Sequence, residues 1–357
     1  MTSANPVQAG SEIGADAFSP SPMSDTDSQL RFMQLAINTN DLPGTLRLYH
    51  EAFGFANAGA QTAWGDLIRI QDLPPSARTL VWFMVGRQDF VQFEIFHHTV
   101  PAQRLLPADW RPCDLGWVRF GVSVPDLDRT IAALARWDVE ILSGPIDLGR
   151  GRRLCFRDPF VGVMVEVMEE SATLPGGVRH RRFDLEPAII YVTSSVPDIR
   201  AARHFWETQV GLPILPLATL HAPEDEALWG LEGAEMEGFV AVAGDVLLEI
   251  VEYRTPSGRA KPTDYRLSDQ GIVNIAVTTQ DTSVVQAVID RLDAEGRGPP
   301  RITSGPGILG TYVLDQGREL ELLALPKAYE TALGLVPGPD FLGAPSNPQN
   351  AMMLTER

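Results

Sequence analysis

Four stretches of the chain share one pattern, a run of mostly apolar residues that ends at an aspartate. They are MQLAINTND (33–41), VRFGVSVPD (118–126), IYVTSSVPD (190–198) and VNIAVTTQD (273–281). Short apolar runs bounded by turn residues are typical of buried β-strands. The pattern therefore predicts four strands that each begin a similar unit of structure.

A helical segment follows each of these strands. After the fourth strand, apolar residues recur at helical spacing on one face: Val285, Val288, Ile289 and Leu292. Gly54 and Gly211 follow the first and third helical segments, where they predict left-handed C-terminal caps. Further apolar strands come next, for example TLVWFMV and FVQFEIF in the first unit. Each unit is thus one strand, one helix and two or three further strands.

The second half of the chain repeats the order of the first half at a constant spacing. Glu94 matches Glu249 and Arg104 matches Arg259, and both pairs lie 155 positions apart. The same spacing relates Pro101 to Pro256 and Asp126 to Asp281. A fixed offset over dozens of residues indicates two copies of one larger domain.

These patterns predict an α+β protein with two domains, at 30–170 and 186–327. Residues 171–185 are predicted to link them. Residues 1–29 have a composition typical of a disordered tail, and residues 328–357 are Pro-rich and predicted to be irregular.

A βαβββ unit that occurs four times resembles the vicinal oxygen chelate superfamily, which includes glyoxalase I, extradiol dioxygenases, fosfomycin-resistance enzymes and bleomycin-binding proteins. Two motifs carry the resemblance, over about residues 30–327. One is the first strand with its aspartate, followed by a helix that ends in GF or GL. The other is a last strand of the form Gly-x-x-x-Glu, as in GVMVE ending at Glu166 and GRELE ending at Glu321. The resemblance implies that paired modules close curved sheets into two cups.

In this family, metal ligands come from the first and last strands of each module. Carried over to this sequence, the resemblance places four side chains in the first cup: Gln34, Glu94, Arg119 and Glu166. It places four in the second cup: Tyr191, Glu249, Asn274 and Glu321. The family usually has histidine at one or more of the first-strand positions, and this chain has none there.

Arg119 is then expected to face Glu94 and Glu166 in the first cup, because an unpaired buried charge is costly. A guanidinium has only donors, so it cannot ligate a metal, and this cup is predicted to be metal-free. Two interpretations stay open. Arg119 either neutralises the two glutamates or binds a carboxylate or enolate oxygen of a ligand, with Glu94 or Glu166 as the proton acceptor. The predicted substrate contacts are Gln34, Glu94, Glu166, Trp117 and Asn274.

The second cup is expected to bring Glu249 and Glu321 together without a cation. Three interpretations stay open for it. Glu249, Asn274 and Glu321 could hold Mg²⁺, Mn²⁺ or Ca²⁺, since all their donors are oxygen atoms. A glutamate with a raised pKa beside Tyr191 could act as a general acid–base pair. The site could also be a packing remnant.

Composition narrows the class of partner. The formal net charge of −17 disfavours nucleic acid and anionic membranes, which are polyanions. The two cysteines form no C-x-x-C pair, as expected of a protein in the reducing cytoplasm. No apolar run is long enough to span a membrane. A small-molecule ligand is expected, and a homodimer is a possible assembly.

The function predicted on these grounds is isomerase- or lyase-type proton transfer near the carbonyl of a small organic molecule, which can be aromatic. Ring cleavage with oxygen is disfavoured, because it requires an iron(II) site with histidines. The alternative is a metal-free protein that sequesters a small molecule, of the bleomycin-resistance type.

Overall fold

The computed structural model of the chain describes residues 29–63, 73–147, 149, 151–170, 181–299, 301–302 and 307–339. The predicted tail before residue 29 lies outside these ranges, as do residues 171–180 of the predicted linker and the chain after residue 339. Within the described ranges, no helix is long and apolar enough to cross a membrane.

The strands form four sets of four, one set for each predicted module. The first module contains β1 (Arg31–Asn38), β2 (Ala56–Ala63), β3 (Arg78–Val85) and β4 (Gln92–Val100). The second contains β5 (Gly116–Val124), β6 (Ile141–Asp147), β7 (Arg152–Arg157) and β8 (Met164–Glu169). The third contains β9 (Ala188–Ser195), β10 (Ile214–Pro216), β11 (Glu235–Ala243) and β12 (Val246–Thr255). The fourth contains β13 (Gly271–Thr279), β14 (Arg301–Ile302), β15 (Leu309–Asp315) and β16 (Arg318–Ala324).

One helix follows the first strand of each module. The helices are α1 (Leu42–Leu48), α2 (Leu127–Arg136), α3 (Ile199–Arg203) and α4 (Thr282–Ala294), and π-helical turns extend α1 over Tyr49–Phe53 and α3 over His204–Val210. The aspartate two or three residues after each preceding strand is the N-cap, because its side chain accepts hydrogen bonds from backbone N–H groups of the first turn. Gly54 and Gly211 end the first and third helical segments with φ of 93° and 91°, which confirms the predicted left-handed caps.

Two eight-stranded sheets are built from these modules, but not from consecutive ones. One sheet has the order β14-β15-β16-β13-β1-β4-β3-β2 and is called the terminal sheet. The other has the order β10-β11-β12-β9-β5-β8-β7-β6 and is called the central sheet. The α+β fold of four βαβββ modules in two curved sheets is therefore confirmed. The pairing of first with second and third with fourth modules is wrong, since the first module pairs with the fourth and the second with the third.

The main hydrophobic core joins the two sheets. It contains side chains of both, such as Leu35 and Phe93 from the terminal sheet and Phe120 and Val165 from the central sheet, together with residues of the helices. Successive side chains of a strand point to opposite faces. Residues adjacent to these core positions, such as Glu94 and Arg119, therefore point into the other, concave face of each sheet. These faces are called the terminal cup and the central cup.

Candidate functional site

The central cup gathers four predicted site residues, Arg119, Glu166, Tyr191 and Glu249, on neighbouring strands β5, β8, β9 and β12. Arg119 is fully buried and donates hydrogen bonds to Glu249 Oε2 at 2.8 Å and to Glu226 Oε1 at 3.3 Å. The prediction that Arg119 pairs with Glu94 or Glu166 is therefore wrong. Glu94 lies in the other sheet, because the first and second modules do not pair.

His221 bridges the two glutamates of the central cup. Its Nδ1 lies 2.6 Å from Glu249 Oε1 and its Nε2 lies 3.1 Å from Glu166 Oε2. Burial alone would lower the pKa of His221, but the charges of Glu249 and Glu166 raise it to about 9. His221 is thus an imidazolium at neutral pH, with one N–H for each carboxylate.

The remaining contacts complete a buried network in the central cup. Tyr191 donates to Glu166 at 2.5 Å, and Arg153 donates to the same carboxylate at 3.2 Å. Tyr253 accepts a hydrogen bond from Arg119 and donates one to Glu226. Three carboxyl groups thus face three cationic groups, all of them buried. The charges of these carboxylates and cations balance within this set of side chains.

Sequence reasoning did not identify His221 as a site residue. It belongs to the segment 217–231 between β10 and β11, which contains two short 3₁₀ turns, Leu217–Thr219 and Pro223–Trp229. The segment carries neither of the two family motifs. Its one available signal was a histidine close to an acidic stretch, HAPEDE, and that signal is weak.

The terminal cup gathers the other four positions, on strands β1, β4, β13 and β16. Ala36 lies between Glu94 on one side and Asn274 on the other, and Ala276 lies between Gln34 and Glu321. Glu321 and Asn274 therefore share a cup with Glu94. The predicted metal set of Glu249, Asn274 and Glu321 is not brought together, because Glu249 belongs to the central sheet.

Glu94 and Glu321 form an acidic pair. Burial raises the pKa of Glu94, and the nearby Glu321 raises it further. Burial also raises the pKa of Glu321, to about 7, although a hydrogen bond from Tyr312 acts in the opposite direction. Within the described part of the chain, neither carboxyl group forms an ion pair with a cation. Two such groups cannot both ionise cheaply, so the pair retains a proton near neutral pH.

Asn274 adds unused hydrogen-bonding capacity to this cup. Its Nδ2 and Oδ1 atoms are buried and, among the described residues, have no hydrogen-bond partner. Buried amides in proteins are usually hydrogen-bonded, so this one is available to a ligand, a water molecule or an ion. Across the described ranges, no three His, Cys, Asp or Glu side chains are placed to hold a metal. The donors here are instead two carboxylates and two amides, an all-oxygen set that fits Mg²⁺, Mn²⁺ or Ca²⁺.

Trp117 does not line a cup, contrary to its prediction as a substrate contact. Its ring packs edge-on against Trp206, with centroids 6.5 Å apart, in the main core. Its Nε1 donates to the backbone oxygen of Glu319 at 3.2 Å. Trp117 precedes Arg119 by two positions, but the ladder between β5 and β9 is irregular between them, so their side chains need not share a face.

Comparisons with known proteins agree with this architecture. Residues 31–167 match the model of the Glyoxalase/Bleomycin resistance protein/Dioxygenase superfamily. Glyoxalase I from Zea mays is similar in structure, with a TM-score of 0.53 and 16% identity over 86% of this chain and 96% of that chain. A single-site mutant of the same enzyme has a TM-score of 0.54 and 15% identity, over 83% of this chain and 94% of that chain.

A putative dioxygenase from Bacillus subtilis subsp. subtilis str. 168 is also similar, with a TM-score of 0.53 and 11% identity over 91% of this chain and 95% of that chain. No curated protein matches the chain in sequence. At these identities the likeness to solved structures concerns the fold. Residues 31–167 are similar to the Glyoxalase/Bleomycin resistance protein/Dioxygenase superfamily, and the solved structures extend the likeness in fold over most of the chain.

Proposed function

We propose that the terminal cup is the active site of an isomerase- or lyase-like enzyme, which moves a proton next to the carbonyl group of a small organic molecule. The observation that carries the proposal is the pair of Glu94 and Glu321. These two carboxyl groups share a cup, both have raised pKa values, and neither is paired with a cation among the described residues.

A pKa of about 7 suits Glu321 to acid–base catalysis at neutral pH. A group with this pKa is present in both protonation states, which favours transfer in either direction. The ionised member of the pair accepts a proton from a carbon atom beside the carbonyl. The protonated member donates its proton at the neighbouring position. The buried amide of Asn274 has an N–H group available to stabilise a developing enolate oxygen.

The same cup could hold a divalent cation. Gln34, Glu94, Asn274 and Glu321 would be its ligands, and the bound ion would polarise the carbonyl oxygen as a Lewis acid. Ligation requires both glutamates to be ionised, so an ion would also lower their pKa values. The acid–base proposal depends on the glutamates themselves and applies with or without an ion.

The central cup is a poor candidate for catalysis. Arg119, Tyr191 and Glu249, which the sequence predicted to be catalytic, are buried and hydrogen-bonded within the network that includes His221. A ligand would have to displace this network, and the loss of buried, paired charges is costly. We therefore assign a structural role to these residues.

Sequestration of a small molecule is the second candidate, because part of the terminal cup is apolar. Ala36, Val81, Phe83 and Phe96 belong to one buried cluster in this sheet, close to Glu94 in the strand register. Apolar walls with a few polar groups are typical of ligand sites in general. A binding protein would retain this surface and have no need of a carboxyl group with a pKa near 7.

Proton exchange in heavy water tests the enzyme directly. Small carbonyl compounds are incubated with the protein in D₂O, with EDTA or with added Mg²⁺, Mn²⁺ or Ca²⁺, and loss of the C–H signal is followed by NMR. We expect exchange in at least one compound class, and its loss in Glu94→Gln and Glu321→Gln. The control is Glu237→Gln, which removes a surface glutamate paired with Arg254. Binding without exchange would favour sequestration, and absence of both would contradict the proposal.

A further inference from the structure

The chain after β16 folds back over the terminal cup. This segment, residues 325–339, is called the strap and includes a short 3₁₀ turn at Lys327–Tyr329. Leu325 and Leu335 are fully buried and form a cluster with Met33, Phe90 and Ala276. Ala276 lies between Gln34 and Glu321 in the strand register. The strap therefore covers the cup beside two of its four candidate ligands.

Polar contacts anchor the strap at two places. Near its end, the backbone N–H of Gly338 donates to the backbone oxygen of Asn57 at 2.7 Å, and Asn57 Nδ2 donates to the backbone oxygen of Pro339 at 2.6 Å. Near its start, Glu330 is almost fully buried and forms an ion pair with Arg182 at 2.8 Å. The strap thus crosses from β16 to β2, from one side of the terminal sheet to the other.

Between these anchors, Gly334 brings the strap against the wall of the cup. A Cβ atom added to Gly334 would lie 2.3 Å from Phe83 Cγ, far inside van der Waals contact. Phe83 lies directly opposite Glu94 in the antiparallel pair of β3 and β4, so both side chains point into the same face. The strap therefore meets the cup beside one of its two carboxyl groups.

We propose that Gly334 is a specificity-determining residue, whose close contact with Phe83 sets the size of molecule that can reach Glu94 and Glu321. The proposal rests on the proposed function in taking the terminal cup as the ligand site. It adds that the strap covers this site and that its contact with the wall, between residues 83 and 334, limits access.

A larger residue at 334 must move either the strap or Phe83. Phe83 is buried in a strand that is hydrogen-bonded on both sides, to β2 and to β4. The strap is held by a few side chains and hydrogen bonds and belongs to no sheet. Segments of this kind open at lower free energy than paired strands. The strap is therefore the part that yields, and the cup opens.

Carboxyl labelling measures this opening without a known substrate. Full-length protein is treated with a small or a bulky water-soluble carbodiimide and glycine amide, and labelling of each glutamate is followed by mass spectrometry. In the unchanged protein, we expect the small reagent to label Glu94 and Glu321 slowly and the bulky one not to label them. In Gly334→Ala, we expect labelling by both reagents to be roughly tenfold faster, as when opening becomes about 1.4 kcal/mol easier.

Gly317→Ala is the matched control. Gly317 also has a left-handed φ, 79° against 72° for Gly334, but nothing lies within 4 Å of an added Cβ. It therefore carries the same backbone strain without the contact with Phe83.

Phe83→Leu alone gives a test that does not depend on a strained backbone. It should admit the bulky reagent while the strap stays in place. Glu166 and Glu249 of the central cup serve as internal references and should not change. The proposal is overturned if Gly334→Ala labels Glu94 and Glu321 no faster than Gly317→Ala, or if Phe83→Leu leaves the bulky reagent excluded. Because labelling needs access and no turnover, these results are independent of whether the two glutamates catalyse a reaction.

Discussion

The charge at one position accounts for much of the difference between the two cups. Arg119 and Asn274 occupy equivalent places on β5 and β13, 155 residues apart. Arg119 supplies a cation to the glutamates of the central cup, whereas Asn274 supplies none to Glu94 and Glu321. The central pair is thus ionised and stable, and the terminal pair retains a proton. Arg119 therefore contributes to this difference together with Arg153 and His221, which also contact the central glutamates.

Matched substitutions in the two cups should have opposite effects on stability. A carboxyl group whose folded pKa is raised from 4.5 to about 7 destabilises the fold as pH rises through that interval, and the full cost is present above pH 7. Glu321→Gln should therefore raise the free energy of unfolding at pH 8, by on the order of 2 kcal/mol.

The equivalent change in the central cup is Glu166→Gln. Burial would raise the pKa of Glu166, but His221 and Arg153 lower it, so the ionised form stabilises the fold. We expect this variant to lose stability, because it leaves part of a buried charge network unpaired. Urea denaturation at pH 8 measures both variants. Changes of the same sign would contradict the assignment of the two cups.

The sequence predicted correctly that Arg119 forms an ion pair with a carboxylate, but it did not identify which one. An arginine within an apolar strand predicts a buried ion pair from local chemistry alone. The glutamate that pairs with Arg119 is determined by which modules share a sheet. No property of the strand VRFGVSVPD specifies which modules these are. Likewise Glu94 and Glu321 were both predicted as cup residues, but in two different cups. The structure places them in the same one.

At the scale of elements, the segment 217–231 has the largest effect on the central cup. It places His221 between Glu166 and Glu249 and places the ring of Trp229 against Arg119, whose guanidinium carbon is 4.6 Å from the ring centroid. The strands and helix caps of the surrounding modules were predictable because they follow repeated patterns. This segment follows none of them, so its role emerges only from the folded chain.

Stability should respond to the protonation of His221. Its folded pKa of about 9 lies above the ordinary value of 6.5, so its contribution is fully present below pH 6.5 and is lost as pH rises through 9. The unfolding free energy of the unchanged protein should therefore fall by up to about 3 kcal/mol over this interval, relative to His221→Gln.

The comparison uses urea denaturation between pH 6 and 10. Taking the difference between the two proteins removes contributions from other groups, such as Lys261, whose burial lowers its pKa to about 8 and which therefore acts with the opposite sign. If the difference between the two proteins is the same at pH 6.5 and pH 9.5, His221 is not an imidazolium in this network.

At the scale of the whole molecule, two loops join the halves of the chain in a reciprocal way. Arg104 Nε donates to Asp269 at 2.9 Å, and Arg259 Nη2 pairs with Asp114 at 2.7 Å. Burial alone would raise the pKa of Asp114, but hydrogen bonds from Arg259 and Arg111 lower it to about 2. Each loop thus contributes an arginine to one contact and an aspartate to the other.

The pairing of modules depends on contacts across the whole molecule, and local sequence patterns could not predict it. All four first strands have the same apolar pattern, so β1 could bury its edge equally well against β5 or β13. The choice depends on the course of the connecting loops at 101–115 and 256–270 and on the contacts between them. The succession of strands and helix along each module is local and was predicted from the sequence, whereas the pairing of modules was predicted wrongly.

The most direct test of the account is the titration of glutamate carboxyl groups by ¹³C NMR, in protein labelled at the glutamate side chains. The account predicts one carboxyl resonance with a midpoint near pH 7 that disappears in Glu321→Gln. In that variant the pKa of Glu94 should fall, because its neighbour no longer carries a charge. The account would be contradicted if no glutamate titrated above pH 5.5, or if the resonance near pH 7 disappeared in Glu249→Gln and persisted in Glu321→Gln.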